Sequence, residues 1–308
     1  MPSFSSYPAS RAIKMEYLGH SGAGKTGSLC SLAAAGYNVR ILDLDGKAEV
    51  IRGFVTADAR SNPKSIYLRE KPGLWTAEQA AGTASRISYV SVIEGMNIRG
   101  VKAIPKGDSW QKALQLLNDW KDGDSKLGNI GTWTEQDILV IDSFSRLCES
   151  ARNFHLAMNN RLDVGLRAGT SQDNDYAAVY KMILEFLDLL KDPQIRCNII
   201  LVCHIVMMEE TRTPQTSAAG RPQKGFAQVF GRAMISPQIS QYFPHVLRAK
   251  SIGNEPSVRR TIHTNNDESV ELITTAPLQV KPQYELATGL AEYFRDIHNV
   301  GGPQTETP

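Results

Sequence analysis

Hydrophobic positions fall into short runs, and most of these runs end in a glycine or a polar residue. Residues 13–18, Ile-Lys-Met-Glu-Tyr-Leu, read as a strand that passes directly into Gly19. Residues 38–45, Asn-Val-Arg-Ile-Leu-Asp-Leu-Asp, alternate toward a second strand end. Residues 137–142 and 196–204 are near-continuous apolar runs closing in Asp142 and His204, the composition of strands buried on both faces in a parallel sheet. Helical patterns lie between them. Residues 28–35 are small and apolar, with Gly36 as a stop. Residues 109–120 place Trp110, Ala113, Leu114, Leu117 and Trp120 toward one side. Residues 144–192 are mostly helical. Within them, 159–175 is polar and reads as a mobile loop, and 176–190 recovers an amphipathic pattern that Pro193 closes. Residues 246–251 and 258–264 predict an antiparallel pair around Asn254-Glu-Pro, and 286–297 a short amphipathic helix. Strands alternating with helices in this way predict an α/β fold with a mostly parallel central sheet and an antiparallel extension.

The stretch 47–137 departs from this rhythm. It contains the breakers Asn62-Pro63 and Lys71-Pro72-Gly73 and one strand-like run at 87–93. It reads as an elaboration inserted between the second strand and the Asp142 strand, with its tryptophans in a core. A length of 308 residues suits one large α/β domain or two small ones. The division expected is a tail at 1–12, one domain at 13–297 and a second tail at 298–308. The net charge of +2 excludes a globally basic nucleic-acid binder. No apolar run approaches a membrane span, so no membrane partner is expected. The Ser- and Pro-rich start has no apolar signal core. Cys30, Cys148, Cys197 and Cys203 form no Cys-x-x-Cys pair. They read as buried thiols of a protein in a reducing cytoplasm.

Candidate chemistry begins at Gly19-His20-Ser21-Gly22-Ala23-Gly24-Lys25-Thr26. A glycine loop between strand and helix, ending in Gly-Lys-Thr, is the context of a phosphate-binding P-loop. Gly22 and Gly24 allow backbone N–H groups to turn toward an anion, and the following helix start adds to the attraction. Lys25 is expected on the β- and γ-phosphates and the Thr26 hydroxyl on Mg²⁺. ATP and Mg²⁺ are therefore the expected ligands. Asp142 is the second candidate metal residue. It also fits a helix N-cap, as does Ser143. Asp43 and Asp45 stand where the second strand meets a loop. Asp45, later on the exit, is preferred as the catalytic acid that orients a water, although Asp45-Gly46 is also a turn dipeptide. His204 ends its strand at the same side of the sheet, a position that suits a sensor of the terminal phosphate and equally a plain core or surface histidine. Between residues 212 and 260 the chain carries eight Lys or Arg (212, 221, 224, 232, 248, 250, 259, 260) and one acid, Glu255. This local charge suits a phosphate backbone, and the turn-rich segment 210–226 within it reads as a flexible loop.

The order of these pieces resembles that of the RecA-like ATPases, and among them the compact bacteriophage proteins of single-strand annealing and recombination. P-loop, acidic strand end, Asp-terminated strand, polar sensor, basic loop and hairpin follow one another across 13–297. The resemblance implies a RecA-like P-loop core, Asp45 in place of the usual Glu, Asp142 as metal residue and His204 as sensor. It implies DNA-binding loops at 159–175 and 211–226, with Arg161, Arg167, Arg212, Arg221 and Lys224 as candidate contacts. Single-stranded DNA is then the expected partner, with a ring or filament of identical copies holding ATP at subunit boundaries. A phage or host single-strand-binding protein is a further implied partner, and a bacterial host's cytoplasm the implied location. Where such filaments carry lysines that reach a neighbour's site, this chain has His263-Thr-Asn-Asn, leaving Arg259 or Arg260 as substitutes. The alternative function is a nucleotide switch or motor acting on protein partners, such as a helicase loader or packaging accessory. A small-molecule kinase ranks last, for want of a recognisable lid.

Overall fold

The apolar runs become neighbouring strands of one sheet in the computed structural model, which describes residues 12–47, 50–51, 77–99, 102–162, 173–209, 223–229, 236–253, 258–266 and 269–299. The strands are β1 (Lys14–Gly19), β2 (Asn38–Asp43), β3 (Ile87–Ser91), β4 (Met96–Arg99), β5 (Lys102–Pro105), β6 (Trp120–Asp122), β7 (Ser125–Gly128), β8 (Asp137–Asp142), β9 (Asn198–Glu209), β10 (Gln223–Ala227), β11 (His245–Ile252), β12 (Arg259–His263) and β13 (Gln283–Glu285). The helices are α1 (Lys25–Ser28), α2 (Cys30–Ala34), α3 (Ala77–Ala84), α4 (Ser109–Asn118), α5 (Phe144–Met158), α6 (Asp173–Lys191), α7 (Ser236–Ile239) and α8 (Gly289–His298). The main sheet runs β13-β12-β11-β1-β9-β8-β2-β3, with β10 paired to β9. From β11 to β3 every neighbour is parallel. β12, β13 and β10 add antiparallel pairs. This is the expected α/β architecture, a mostly parallel sheet with helices on both faces and an antiparallel extension.

The period of two explains how the sheet holds both layers. In β8, Leu139 and Ile141 point to one core with Phe144, Leu147, Ile183 and Leu187 of α5 and α6. Ile138 and Val140 point to the other, with Leu29, Leu32, Leu290 and Phe294 around α2 and α8. Burial on both faces is why these strands carry no polar alternation. At the amino ends, buried Asn198 ties the strands together. Its Oδ1 accepts from Ile13 N (2.7 Å) and its amide donates to the Glu135 carbonyl (2.6 Å).

Several expectations are revised. β9 does not stop at His204 but continues to Glu209, and β10 pairs antiparallel with residues 205–209. The end of the expected loop is therefore strand. The helix after the P-loop runs as two short pieces joined at Leu29, whose own backbone stays helical (φ −59°, ψ −28°). Leu114 is about one-third exposed and Trp120 lies on β6, so α4 buries only Trp110, Ala113 and Leu117 of the expected stripe. Within 47–137, β3 is a member of the main sheet. Trp110, Trp120 and Trp133 are buried, as a core reading requires, with Trp120 Nε1 donating to Ser88 Oγ at 2.9 Å. All four cysteines are buried free thiols. Among the described residues no helix is long and apolar enough to cross a membrane.

One core residue breaks the pattern. Glu16, on β1, is fully buried between β9 and β11, and neither carboxylate oxygen has a hydrogen-bond partner. Burial pushes its pKa up to about 7, opposed in part by the nearby Ser240 hydroxyl. The folded state thus holds a proton on Glu16 that the unfolded chain releases near pH 4.5, so stability falls as pH rises from about 4.5 to 7. Across that window the loss amounts to roughly 3 kcal/mol. Glu16→Gln is expected to flatten this part of the pH–stability curve and to exceed wild type in urea midpoint at pH 8. An unchanged slope would mean that Glu16 is solvated or paired.

Candidate nucleotide site

Register brings the chemistry together. Gly19 pairs with His204, and Asp43 with Asp142, in adjoining parallel strands. Four carboxyl ends therefore open on one crevice, the place where open α/β sheets bind ligands. Gly22 (φ 79°) and Gly24 (φ 88°) are left-handed, which admits glycine at little cost. A Cβ on Gly22 would meet open space, whereas one on Gly24 would lie 2.3 Å from Leu286 Cδ2. α1 is only four residues long, so its dipole is small. The attraction for an anion rests mainly on the loop amides and Lys25. Lys25 Nζ donates to the Gly19 carbonyl (2.6 Å) and the His20 carbonyl (3.0 Å). Burial lowers its pKa to about 8 against the opposing pull of Asp142.

Thr26 Oγ1 donates to Asp142 Oδ2 at 2.5 Å. The other oxygen, Asp142 Oδ1, is buried with no hydrogen-bond partner, and burial pushes the carboxyl pKa up while the Thr26 bond opposes it. A hydroxyl and an under-satisfied carboxylate oxygen are hard donors of the kind Mg²⁺ takes, so these residues fit the expected metal. Ser143, the N-cap of α5, accepts from Arg146 N, which separates the cap role from that of Asp142.

The two aspartates of the β2 exit divide their work. Asp43 is buried. Its Oδ1 accepts from the backbone N–H groups of Asp45 (3.0 Å), Gly46 (2.9 Å) and Lys47 (3.3 Å), and Tyr89 donates to its Oδ2. It shapes the turn. Asp45 faces the crevice, with Lys47 Nζ at 2.5 Å, His204 Nε2 at 3.1 Å and Arg146 Nε at 3.4 Å. Burial works to raise its pKa, but hydrogen bonds from His204 and Lys47 and the charge of Lys47 prevail and hold the carboxyl well below the ordinary range. His204 N in turn donates to Ser145 Oγ at 3.1 Å. Ser21, Asp45, Lys47, Arg146, Glu149, His204 and Gln228 line a cleft of about 610 Å³.

The structure therefore gathers Gly19 to Thr26, Asp45, Asp142 and His204. It also adds Lys47, Ser145 and Arg146, which the sequence reading missed. The available signal was spacing: Lys47 follows the Asp-Gly turn, and Arg146 lies one turn into the helix after Asp142. The basic tract 212–260 is not one surface. Arg248 and Arg260 are buried, Arg248 on Ser269 Oγ (2.8 Å) and Arg260 on the Gly22 carbonyl of its own P-loop (3.3 Å). Arg260 thus faces its own P-loop, and Arg259, an exposed side chain, pairs with Glu285 at 2.9 Å. Arg161 is paired with Asp175 at 2.9 Å. Lys224 stands on β10 opposite Met208. Arg167, Arg212 and Arg221 lie outside the described residues.

No family model matches the sequence, and no curated protein matches it. Among solved structures, the RadB recombinase is similar at 13% identity and a TM-score of 0.38, covering 82% of this chain and 79% of that one. The flagellar accessory protein FlaH from Methanocaldococcus jannaschii is similar at 12% identity and a TM-score of 0.36, covering 88% and 83%.

The two loop glycines separate backbone strain from packing. Gly22→Ala is expected to cost about 1 kcal/mol, the penalty of a side chain in the left-handed region. Gly24→Ala also drives a methyl into Leu286 and is expected to cost about 2–4 kcal/mol. Urea unfolding without nucleotide measures both. Equal costs would place Leu286 away from the loop.

Proposed function

We propose that this chain is an ATP-dependent single-stranded-DNA-binding protein that promotes strand annealing or exchange, and that it hydrolyses ATP slowly. One observation carries the coupling: β9 passes through His204 at the nucleotide crevice and continues into a hairpin with β10. The segment of sequence between these two strands, 210–222, carries Arg212 and Arg221. A change at His204 therefore has a continuous backbone along which to act on a basic segment, a differential contact of the kind that shifts populations.

At the crevice, the loop amides and Lys25 would hold the phosphates. Thr26 and Asp142 would hold Mg²⁺, which supplies charge neutralisation for phosphoryl transfer. Asp45 stays anionic at neutral pH. Held so low, it is a poor proton acceptor, so its part is to orient the attacking water. The expected hydrolysis is slow for that reason and because Asp is shorter than Glu. Assembly into a ring or filament with the nucleotide near a subunit boundary belongs to the same reading. Arg260, from β12, then braces the chain's own P-loop at the Gly22 carbonyl.

The deciding experiment is the ATPase rate with and without single-stranded DNA, for wild type and Lys25→Ala. Stimulation that disappears in the variant is the expected result. Turnover indifferent to DNA would move the same switch to a protein partner. Exposed Ile93, Met96 and Ile98 around the β4–β5 hairpin offer such a partner an apolar surface. Reversing charge at Arg221 and Lys224 is expected to weaken DNA binding and leave ATP binding intact. With about three phosphate contacts, log affinity against log salt should have a slope of roughly −2. Salt-insensitive binding would overturn the backbone-contact reading.

A further inference from the structure

We infer that Lys47 and Arg146 recognise the terminal phosphate of a nucleoside triphosphate, with Asp45 as the anion against which that phosphate competes for them. The inference rests on the P-loop reading of the crevice and names the groups that would distinguish triphosphate from diphosphate.

Both cations sit over the right corner. They line the same cleft as Ser21 of the P-loop, Asp45 and His204. The charge of Lys47 acts on Lys25 and on Asp142, the two groups assigned to phosphate and metal. Arg146 comes from the first turn of α5, directly after Asp142 and Ser143. Its Nε lies 3.4 Å from Asp45 Oδ1 and its Nη1 2.6 Å from Glu149 Oε2.

Their present partners are exchangeable. The Arg146 side chain is 59% exposed and that of Lys47 32%, whereas Asp45 is only 6% exposed, so the two cations can reorient while the carboxylate stays in place. Asp45 offers one negative charge, shared among Lys47, Arg146 and His204. A terminal phosphate offers more charge and three oxygens, one edge of which suits the planar guanidinium fork. Arg260 of β12 is turned onto the Gly22 carbonyl. Lys47 and Arg146 would supply the charge over the terminal phosphate from within the chain. Transfer of both cations to phosphate would leave Asp45 to His204 alone. That changes the load on the residue from which the β9–β10 hairpin extends.

Calorimetric binding of ADP and of a non-hydrolysable triphosphate (AMP-PNP), each with Mg²⁺, to the full chain tests this. Lys47→Ala and Arg146→Ala are each expected to weaken AMP-PNP about tenfold, the weight of one charge-assisted hydrogen bond. ADP affinity should stay within about twofold. Lys47→Ala keeps the backbone bond to Asp43, so the turn is preserved. Arg146→Lys, which keeps charge and loses the fork, should fall between wild type and Ala. Asp45→Asn should tighten AMP-PNP severalfold while ADP is unchanged. The proposal is overturned if the alanine variants weaken both nucleotides equally or neither, or if Asp45→Asn leaves AMP-PNP unchanged. Failure of wild type to bind ADP at all would instead overturn the P-loop reading.

Discussion

Parallel register is the constraint from which the site follows. β1, β9, β8 and β2 run side by side in one direction, and their pairing sets Gly19 beside His204 and Asp142 beside Asp43. A slip of one residue in β8 would turn Asp142 away from Thr26 and send Leu139 and Ile141 to the wrong core. The two hydrophobic layers therefore fix the chemistry indirectly. Apolar packing on both faces selects the register, and the register delivers a hydroxyl, a carboxylate and a lysine to one corner.

That corner carries unsatisfied polarity of a kind that a bound ligand would complete. Asp142 Oδ1 is buried without a partner, an arrangement that costs stability unless a ligand completes it. Asp43 shows the contrast. It is just as buried, yet backbone amides and the Tyr89 hydroxyl satisfy it. It belongs to the scaffold that aims Asp45. Glu16 is a third case, under-satisfied but enclosed by the sheet, where protonation offsets the cost.

How much of this was legible in the sequence depends on the range of the interaction. The strand and glycine turn at 14–24, the Asp142 strand and the alternation of strands and helices are local patterns, and the structure forms them. The preference for Asp45 over Asp43 agrees with the side chain that faces the crevice. The misread features are those that distant segments decide. Continuation of β9 past His204 depends on β10, which satisfies its backbone from beyond a segment rich in turn formers. Trp120 has helical spacing but is drawn into β6, where Ser88 accepts from its indole. The tract 212–260 is basic in composition, but the fold takes Arg248 and Arg260 inward to Ser269 and Gly22. Charge counted along a chain does not say which charges share a surface.

β9 carries both halves of the functional argument, and its two pairing modes explain how. Up to His204 it is a central parallel strand, buried on both faces and flanked by β1 and β8, so this half is rigid. Beyond His204 it exchanges those neighbours for β10, and Val206, Met207 and Met208 are only partly buried. Stability is not uniform along such a strand. The half with fewer buried contacts opens more readily. The boundary between them is the residue hydrogen-bonded to Asp45, with its backbone held by Ser145 at the start of α5. Charge rearranged around Asp45 therefore acts where the sheet passes from rigid to loosely held, and the core that fixes Thr26, Lys25 and Asp142 need not move.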